Sequence, residues 1–425
     1  PIFKNDDSSH FSNYRPISIL PCFSKVLEKL FYSRLSDFLV KFNILNNHQY
    51  GFRQHYSTFM AVLELVNNIF QGFENNEYTV GIFIDIKKAF DTVNHRILID
   101  KLRFYGIRGT PLAWISSYLS NRQQYVQVHG FDSSYNSIKC GVPQGSVLGP
   151  LLFIIYINDL FNSANSLSFI LFADDTNIFF RHKSIFTLLD TVNRELSLVS
   201  LWFNANKLTL HPSKTKFILF HPSRKNINPD DMHIFINRTP ISRVTSTKFL
   251  GVIIHENLSW KPHITAICAK VSKITGIICK SRQYLTSNTL QTLYNSLFLP
   301  YINYCNIIWA STFTSHLEPL YLIQKKIVRI ISFSSPRTHT KPLFLKFKFL
   351  PVHSIFKFQI SCFVFSHINN LLPTPLSSLF FFNYEHHDYS TRSKFNLHKY
   401  FLRYHFSVRS QAPTIWNNIP LSLRN

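Results

Sequence analysis

A chain of 425 residues is longer than one compact core usually supports, so two or three domains in contact are expected. Lys and Arg number 45 against 22 Asp and Glu, a net charge of +23 that runs along most of the chain, with 45% hydrophobic residues. That balance excludes a disordered polyelectrolyte and points to a polyanionic partner, nucleic acid before a merely solvated cationic surface or an anionic membrane. The longest apolar run, 147–157, holds a Gly-Pro step and falls short of the ~20 residues a membrane span needs, so no membrane partner is expected. Six cysteines without C-x-x-C spacing make neither a zinc pattern nor a disulfide framework. They predict buried thiols in a reducing intracellular setting, nuclear, cytoplasmic or both. A first residue that is Pro, not Met, predicts a piece of a longer protein.

Along the chain, residues 24–42 set Val26, Leu27, Leu30, Leu35 and Leu39 at helical spacing, and Ser57 is placed to cap a second helix to about Phe70. Tyr78–Asp85 reads as a buried strand ending at an acid, and 88–105 as helix. Gln123–His129 and Ser137–Cys140 suggest a strand pair, followed by the loop 141–146 and a helix to about Asp159. Ser168–Phe180 has two apolar arms around an acidic centre, the pattern of a hairpin. Leu188–Asn204 is helical and Lys216–Phe220 strand-like. After Pro262 helix follows helix. Ile264–Ser281 carries Lys270, Lys273 and Lys280 beside an apolar stripe, and Leu317–Ile331 carries Lys325, Lys326 and Arg329. Such stripes are usually core faces, but in a basic chain they also suit phosphate tracking. Ser332–Pro342 reads as a linker to a Phe- and His-rich tail.

Asp85 and the pair Asp174–Asp175 differ from the other acids because each sits in strongly apolar sequence. An ionised carboxylate there is costly unless paired or bound to a cation. Adjacent strand residues point to opposite sides, so one of the pair can face Asp85; Asp174 is taken as the shared ligand. Two hard oxygen donors from separate strands suit Mg²⁺, with Mn²⁺ as a substitute. Two ions ~3.5–4 Å apart would activate an attacking hydroxyl and stabilise a leaving oxygen. Taken alone, a D-D pair is more often a turn than a site.

Its neighbours decide otherwise. In order, YRPISIL (14–20), QYGFR (49–53) with Ser57–Thr58, DIKKAFDTV (85–93), GVPQGSVLGP (141–150), FADD (172–175), LTLHPSKTKFILF (208–220) and KFLGVIIHENLSW (248–260) resemble the reverse transcriptases of non-LTR retrotransposons, jockey-like elements in particular. The resemblance implies an α+β right-hand polymerase fold: fingers at 1–78 with their first elements cut short, a palm with an antiparallel sheet at 79–255 bearing a fingers insertion at about 106–140, a helical thumb at 256–335, and a C-terminal region at 336–425. It implies two Mg²⁺ ions on Asp85, Asp174 and the Ile86 carbonyl, with Asp175 in support, and an RNA template, a DNA primer or nicked target DNA, and dNTPs as partners. It further implies that Phe90 gates the sugar, that Arg53, and more weakly Arg15, contacts triphosphate or template, and that Gln144 and Gly145 lie against the incoming base pair. Lys214, with Lys216 competing, would meet the departing pyrophosphate. Phe249, Leu250 and Gly251 would grip the primer, and Asp91 would brace the palm.

The departures are an absent upstream endonuclease, no zinc-knuckle cysteines, no RNase H carboxylate set, and His211 where the family more often has Asn. Two other readings compete. A decayed or domesticated element would bind RNA without catalysis, and an intron-encoded maturase would add a splicing domain. The intact carboxylates weigh against the first, and the closing SVRSQAPTIWNNIP (407–420) against the second.

Overall fold

The apolar run at 78–84 becomes a central strand because both of its faces are covered. The computed structural model describes all residues except 1, 4–6, 8, 11–12, 129, 223–231, 387–392, 401 and 425. In it β1 (Tyr78–Ile84) is the middle of a five-stranded sheet. β2 (Ser168–Phe172) and β3 (Asp175–His182) make the expected hairpin, and β3 runs antiparallel to β1, from Tyr78 opposite His182 to Ile84 opposite Thr176. β4 (Lys216–Phe220) pairs antiparallel with the other edge of β1, and the short β5 (Ser242–Arg243) adds a parallel edge. The order across the sheet is β5-β4-β1-β3-β2.

Strand alternation splits the sheet's side chains between two cores. Ile170, Phe179, Ile218 and Phe220 meet α2 (Thr58–Glu74), while Val80, Ile82, Leu171, Ile178 and Leu219 meet α5 (Gly149–Tyr156) and α6 (Ile185–Ala205). At the periphery are α1 (Cys22–Lys41), α3 (His95–Phe104) and α4 (Gly109–Leu119). A hairpin of β6 (Ser246–Phe249) and β7 (Val252–His255) leads into α7 (Lys261–Ser281), which packs on α8 (Thr314–Ile331). α9 (Val352–Ile368) and α10 (Val408–Asn417) follow. One continuous core joins Phe73 of α2, Val271 of α7, Ile327 of α8, Ile360 of α9 and Trp416 of α10. Among the described residues no helix is long and apolar enough to cross a membrane.

Several expectations are corrected. In α1 only the first part of the apolar stripe faces outward: Val26, Leu27 and Leu30 are 56%, 57% and 62% exposed, whereas Leu35 and Leu39 are buried, as is Glu28. Glu28 is inward because its carboxylate accepts the N–H groups of Val147 and Leu148 at 2.6 and 3.2 Å, just ahead of α5. That is a favourable place for negative charge, and helical spacing alone could not reveal it. Residues 88–105 are not one helix: a 3₁₀ turn at Ala89–Asp91 follows Lys88 at φ 49°, and α3 starts only at His95, capped by the Asn94 side chain. The pair expected from 123–129 with 137–140 is two small ones, Gln123–Gln124 with Asn136–Ser137 and Gln127–Val128 with Phe131–Asp132; His129 lies outside the described residues. The segment 332–339 is a hydrogen-bonded turn, with Arg329 Nε donating to the Thr338 carbonyl at 2.8 Å, and not a linker. Of six free cysteines only Cys305 is buried; Cys22, Cys140, Cys279 and Cys362 are exposed.

Candidate active site

Asp85 follows the last residue of β1, and Asp175 opens β3, so the register carries them opposite one another one step beyond the Ile84–Thr176 pair. Asp174 sits in the two-residue turn with Ala173, between Phe172 and Asp175, which pair. The backbone thus sets Asp175 across from Asp85, whereas the sequence reading took Asp174 as the shared ligand. A turn residue is not bound by strand alternation. All three acids lie at the surface, a correction to the apolar surroundings expected: the strands that carry them are buried, and their ends reach solvent. Asp175 is the crowded one. Although the residue keeps an exposed side, burial of its carboxyl first, then the Asp174 charge and then that of Asp85, push its pKa up to about 6.

The loop at 211–215 fixes the backbone of Asp85. The His211 N–H donates to the Asp85 carbonyl at 2.9 Å, and the Asp85 N–H donates to Thr215 Oγ1 at 3.3 Å. Because His211 acts through its backbone, its departure from Asn leaves this link intact. Lys214 is exposed on the same loop, and Ile86 is bridged to Leu210.

Phe90 lies on the 3₁₀ turn, its ring stacked on Phe153 at 4.4 Å and edge-on to Phe52 at 6.3 Å. Loop 141–145 is tied to that turn. The Val142 N–H donates to the Phe90 carbonyl at 2.8 Å, and Gln144 Nε2 donates to Asp91 Oδ1 at 2.9 Å. Gly141 has φ 88°, and a Cβ there would stand 2.7 Å from the Asp91 carbonyl oxygen, so only glycine lets the two segments meet. Gly145 approaches the Ser18 carbonyl in the same way, and the Ser18 N–H donates to the Gln144 carbonyl at 2.7 Å. Arg15, exposed, pairs its strand with Ile2–Phe3, inside the segment 1–4 whose Pro1 and Lys4 lie outside the described residues. Arg53 donates through Nη1 to the Asn46 and Gln49 carbonyls at 2.6 and 3.2 Å and stacks over Tyr56 at 4.1 Å. In this arrangement it braces its own loop. Phe249 packs on Phe83 at 5.5 Å, and Leu250 and Gly251, φ 44° and 86°, make the tight turn of the β6–β7 hairpin.

The reverse transcriptase (RNA-dependent DNA polymerase) family matches residues 2–254, more than half of the chain and every candidate above. The chain belongs to the reverse transcriptase family. It is similar to the probable RNA-directed DNA polymerase from transposon X-element of Drosophila melanogaster, 30% identical over 329 residues. It is also similar to the RNA-directed DNA polymerase from mobile element jockey of the same organism, 29% identical over 331 residues. These alignments take in 76% and 75% of this chain and 36% of each relative, so the chain spans about a third of their length. A solved apo telomerase from Candida tropicalis overlaps 82% of this chain and 59% of its own at 12% identity and TM-score 0.41. Within that family, the relatives it resembles are polymerases of transposons.

Reverse transcriptases as a family depend on a divalent metal, and the donor set of this one fits a hard cation. The cluster at the hairpin offers carboxylate oxygens with no thiolate, and the neighbouring charges that, after burial, raise the Asp175 pKa are of the kind a cation relieves. Among the described residues no three acidic, His or Cys side chains enclose an ion by themselves.

Sequence reasoning assigned no role to several residues that shape this reverse transcriptase's site. Tyr304 donates its hydroxyl to the Leu250 carbonyl at 2.5 Å and lies against Gly251, joining the helical half to the β6–β7 turn. Glu64, buried in α2, accepts from the Tyr50 hydroxyl and pairs with His48 Nδ1 at 2.6 Å. Gly51 comes so close to the acidic hairpin that a Cβ would stand 2.3 Å from the Ala173 nitrogen. QYGFR was a readable signal for these last contacts; nothing local marked Tyr304.

Proposed function

We propose that this chain is the polymerase core of a non-LTR retrotransposon, extending a primer 3′-hydroxyl with dNTPs on an RNA template, from a nick in target DNA. The observation that carries this reading is the meeting of Asp85 with the Asp174–Asp175 hairpin where neighbouring strands of the central sheet end. Asp85 and Asp174, helped by the Ile86 carbonyl, would hold two Mg²⁺ ions, with Asp175 in support. Bound there, the metal supplies charge neutralisation for the attacking and leaving oxygens. The 3′-hydroxyl attacks the α-phosphate in line and pyrophosphate departs. Arg53 and Lys214 offer cations to the triphosphate and to the leaving group, and Arg15 offers one to the template. Phe90, held on Phe153, would occupy the space of a 2′-hydroxyl. Gln144 and Gly145 would lie against the new base pair, and Phe249, Leu250 and Gly251 would hold the primer strand.

On this reading residues 1–78 are fingers, 79–255 palm with a fingers insertion at about 106–140, and 256–335 thumb, where the lysines of α7 track phosphates. The place of work is nuclear, cytoplasmic or both. The test is extension of oligo(dT) on poly(rA) with dTTP and Mg²⁺. The wild type is expected to extend and Asp174→Ala to lose at least about a thousandfold in rate. A well-folded wild type that binds the hybrid but never extends it would instead identify a non-catalytic RNA-binding element.

A further inference from the structure

The turn that carries Asp174 is not held by its own hairpin alone. Residues 48–51 run parallel to β2, with the Tyr50 N–H donating to the Leu171 carbonyl at 2.7 Å and the Leu171 N–H to the His48 carbonyl at 3.0 Å. From this segment the Gln49 side chain, 1% exposed, reaches the turn itself. Its Oε1 accepts the Ala173 N–H at 3.1 Å and the Gly51 N–H at 2.8 Å. Both partners are donors, so the oxygen must be the end that faces them; Nε2 is buried and meets no acceptor among the described residues. Ala173 is at φ 56°, a left-handed conformation that an L residue with a Cβ adopts only when its surroundings impose it.

We infer that Gln49 is the positioning residue of the acidic turn: its single oxygen fixes Ala173 in the left-handed conformation and so sets where the Asp174 and Asp175 carboxylates stand. Two features argue that the contact is built and not incidental. Gly51 leaves room for the Ala173 backbone that no side chain would, and its N–H shares the same acceptor. Behind the segment, the Tyr50 hydroxyl and His48 both end on Glu64, so Gln49 is presented from a braced strand. Without the acceptor, Ala173 is expected to relax toward negative φ and carry the carboxylates with it, and a displacement of about 1 Å at a reacting centre can lower a rate about a hundredfold.

The role rests on the polymerase reading for its activity readout, and the test is chosen so that the two can fail separately. Gln49→Met keeps length and volume but removes the acceptor, whereas Gln49→Glu keeps an oxygen on the same stem. Steady-state extension of poly(rA)/oligo(dT) should show kcat for Gln49→Met reduced about 30-fold or more, with the KM for dTTP and the affinity for the hybrid within about threefold of wild type. Gln49→Glu should recover most of kcat. In parallel, Mn²⁺ binding to each protein without nucleic acid, read by electron paramagnetic resonance, should weaken several-fold in Gln49→Met and return in Gln49→Glu. The role is overturned if Gln49→Met keeps kcat and Mn²⁺ affinity, or if both variants are equally impaired in both. A wild type that never extends but shows the Mn²⁺ pattern would sink the polymerase reading and leave the positioning role standing.

Discussion

On the proposed reading, the sugar gate rests on a single ring. Phe90 was picked out by its offset from Asp85, and the structure adds a reason for its rigidity: it stacks on Phe153, which is wholly buried in α5. A stacked aromatic pair is worth about 1 kcal/mol beyond its area, so the ring is held in place and not merely present. Phe90→Val should shorten the obstacle while keeping a buried apolar side chain. We expect ribonucleotide incorporation relative to deoxynucleotide to rise about tenfold or more, since even one methylene in a pocket wall is worth about tenfold and this change removes four carbons. Competitive extension with UTP and dTTP would measure it, and an unchanged ratio would remove Phe90 from the gate. Asp174 and Asp175 show the limit of reading at this scale. Composition marked them as unusual, but their surface position and the opposition of Asp175 to Asp85 follow from strand ends and register, which no local pattern contains.

Elements were legible where their burial is two-sided and short in range. The strands 78–84 and 216–220 and the acidic hairpin could be read because apolar residues crowd both faces between polar stops. The first turns of α1, though not its Leu35 and Leu39, were misread in their facing because a buried Glu28 receives two N–H groups from a loop about 120 residues away, a contact whose energy is invisible to periodicity. The join between the β6–β7 hairpin and α7 was likewise hidden. It rests on His263, 5% exposed, whose Nδ1 accepts the Ile253 N–H at 3.3 Å. Burial first, then the positive charges of Lys270 and Lys248, push the pKa of His263 down to about 4. The sign follows from proton uptake. Between pH 6.5 and about 4 the unfolded chain binds the proton and the folded one does not, so stability falls as pH falls through that window. From pH 7 to pH 5 this one group should account for about 2 kcal/mol of lost stability. Urea unfolding of His263→Gln, which keeps an acceptor for Ile253, should lose that much less than wild type over the same interval. Equal losses in the two proteins would show that the imidazole stays in contact with water.

At the scale of the whole molecule, a division after residue 335 suggested a separable tail, and the packing argues for the opposite. α9 and α10 bury Ile360, Phe363 and Trp416 in the core that also holds Phe73 of α2 and Ile327 of α8, while the Glu74 carboxylate accepts the N–H groups of Arg403 and Tyr404 at 3.0 and 2.8 Å. The Ser, Thr and Pro of 332–342 resembled a linker because turn chemistry and linker chemistry use the same residues. Only the contacts on either side tell them apart. Loss of a single large buried aromatic removes about 3–5 kcal/mol, and a domain holds only about 5–15 kcal/mol in all, so the region cannot leave without consequence. Trp416→Ala should lower unfolding free energy by about 3–5 kcal/mol while the protein still folds. A chain ended at 335 should be insoluble, or bind a hydrophobic dye and unfold without a cooperative transition. If instead the shortened chain is soluble and melts cooperatively within a few degrees of the full chain, the last 90 residues are an appendage and the shared core is wrong. If it fails as expected, the fold that positions the acidic hairpin depends on the C-terminal region through α2, whose Glu64 receives Tyr50 and His48 on either side of Gln49.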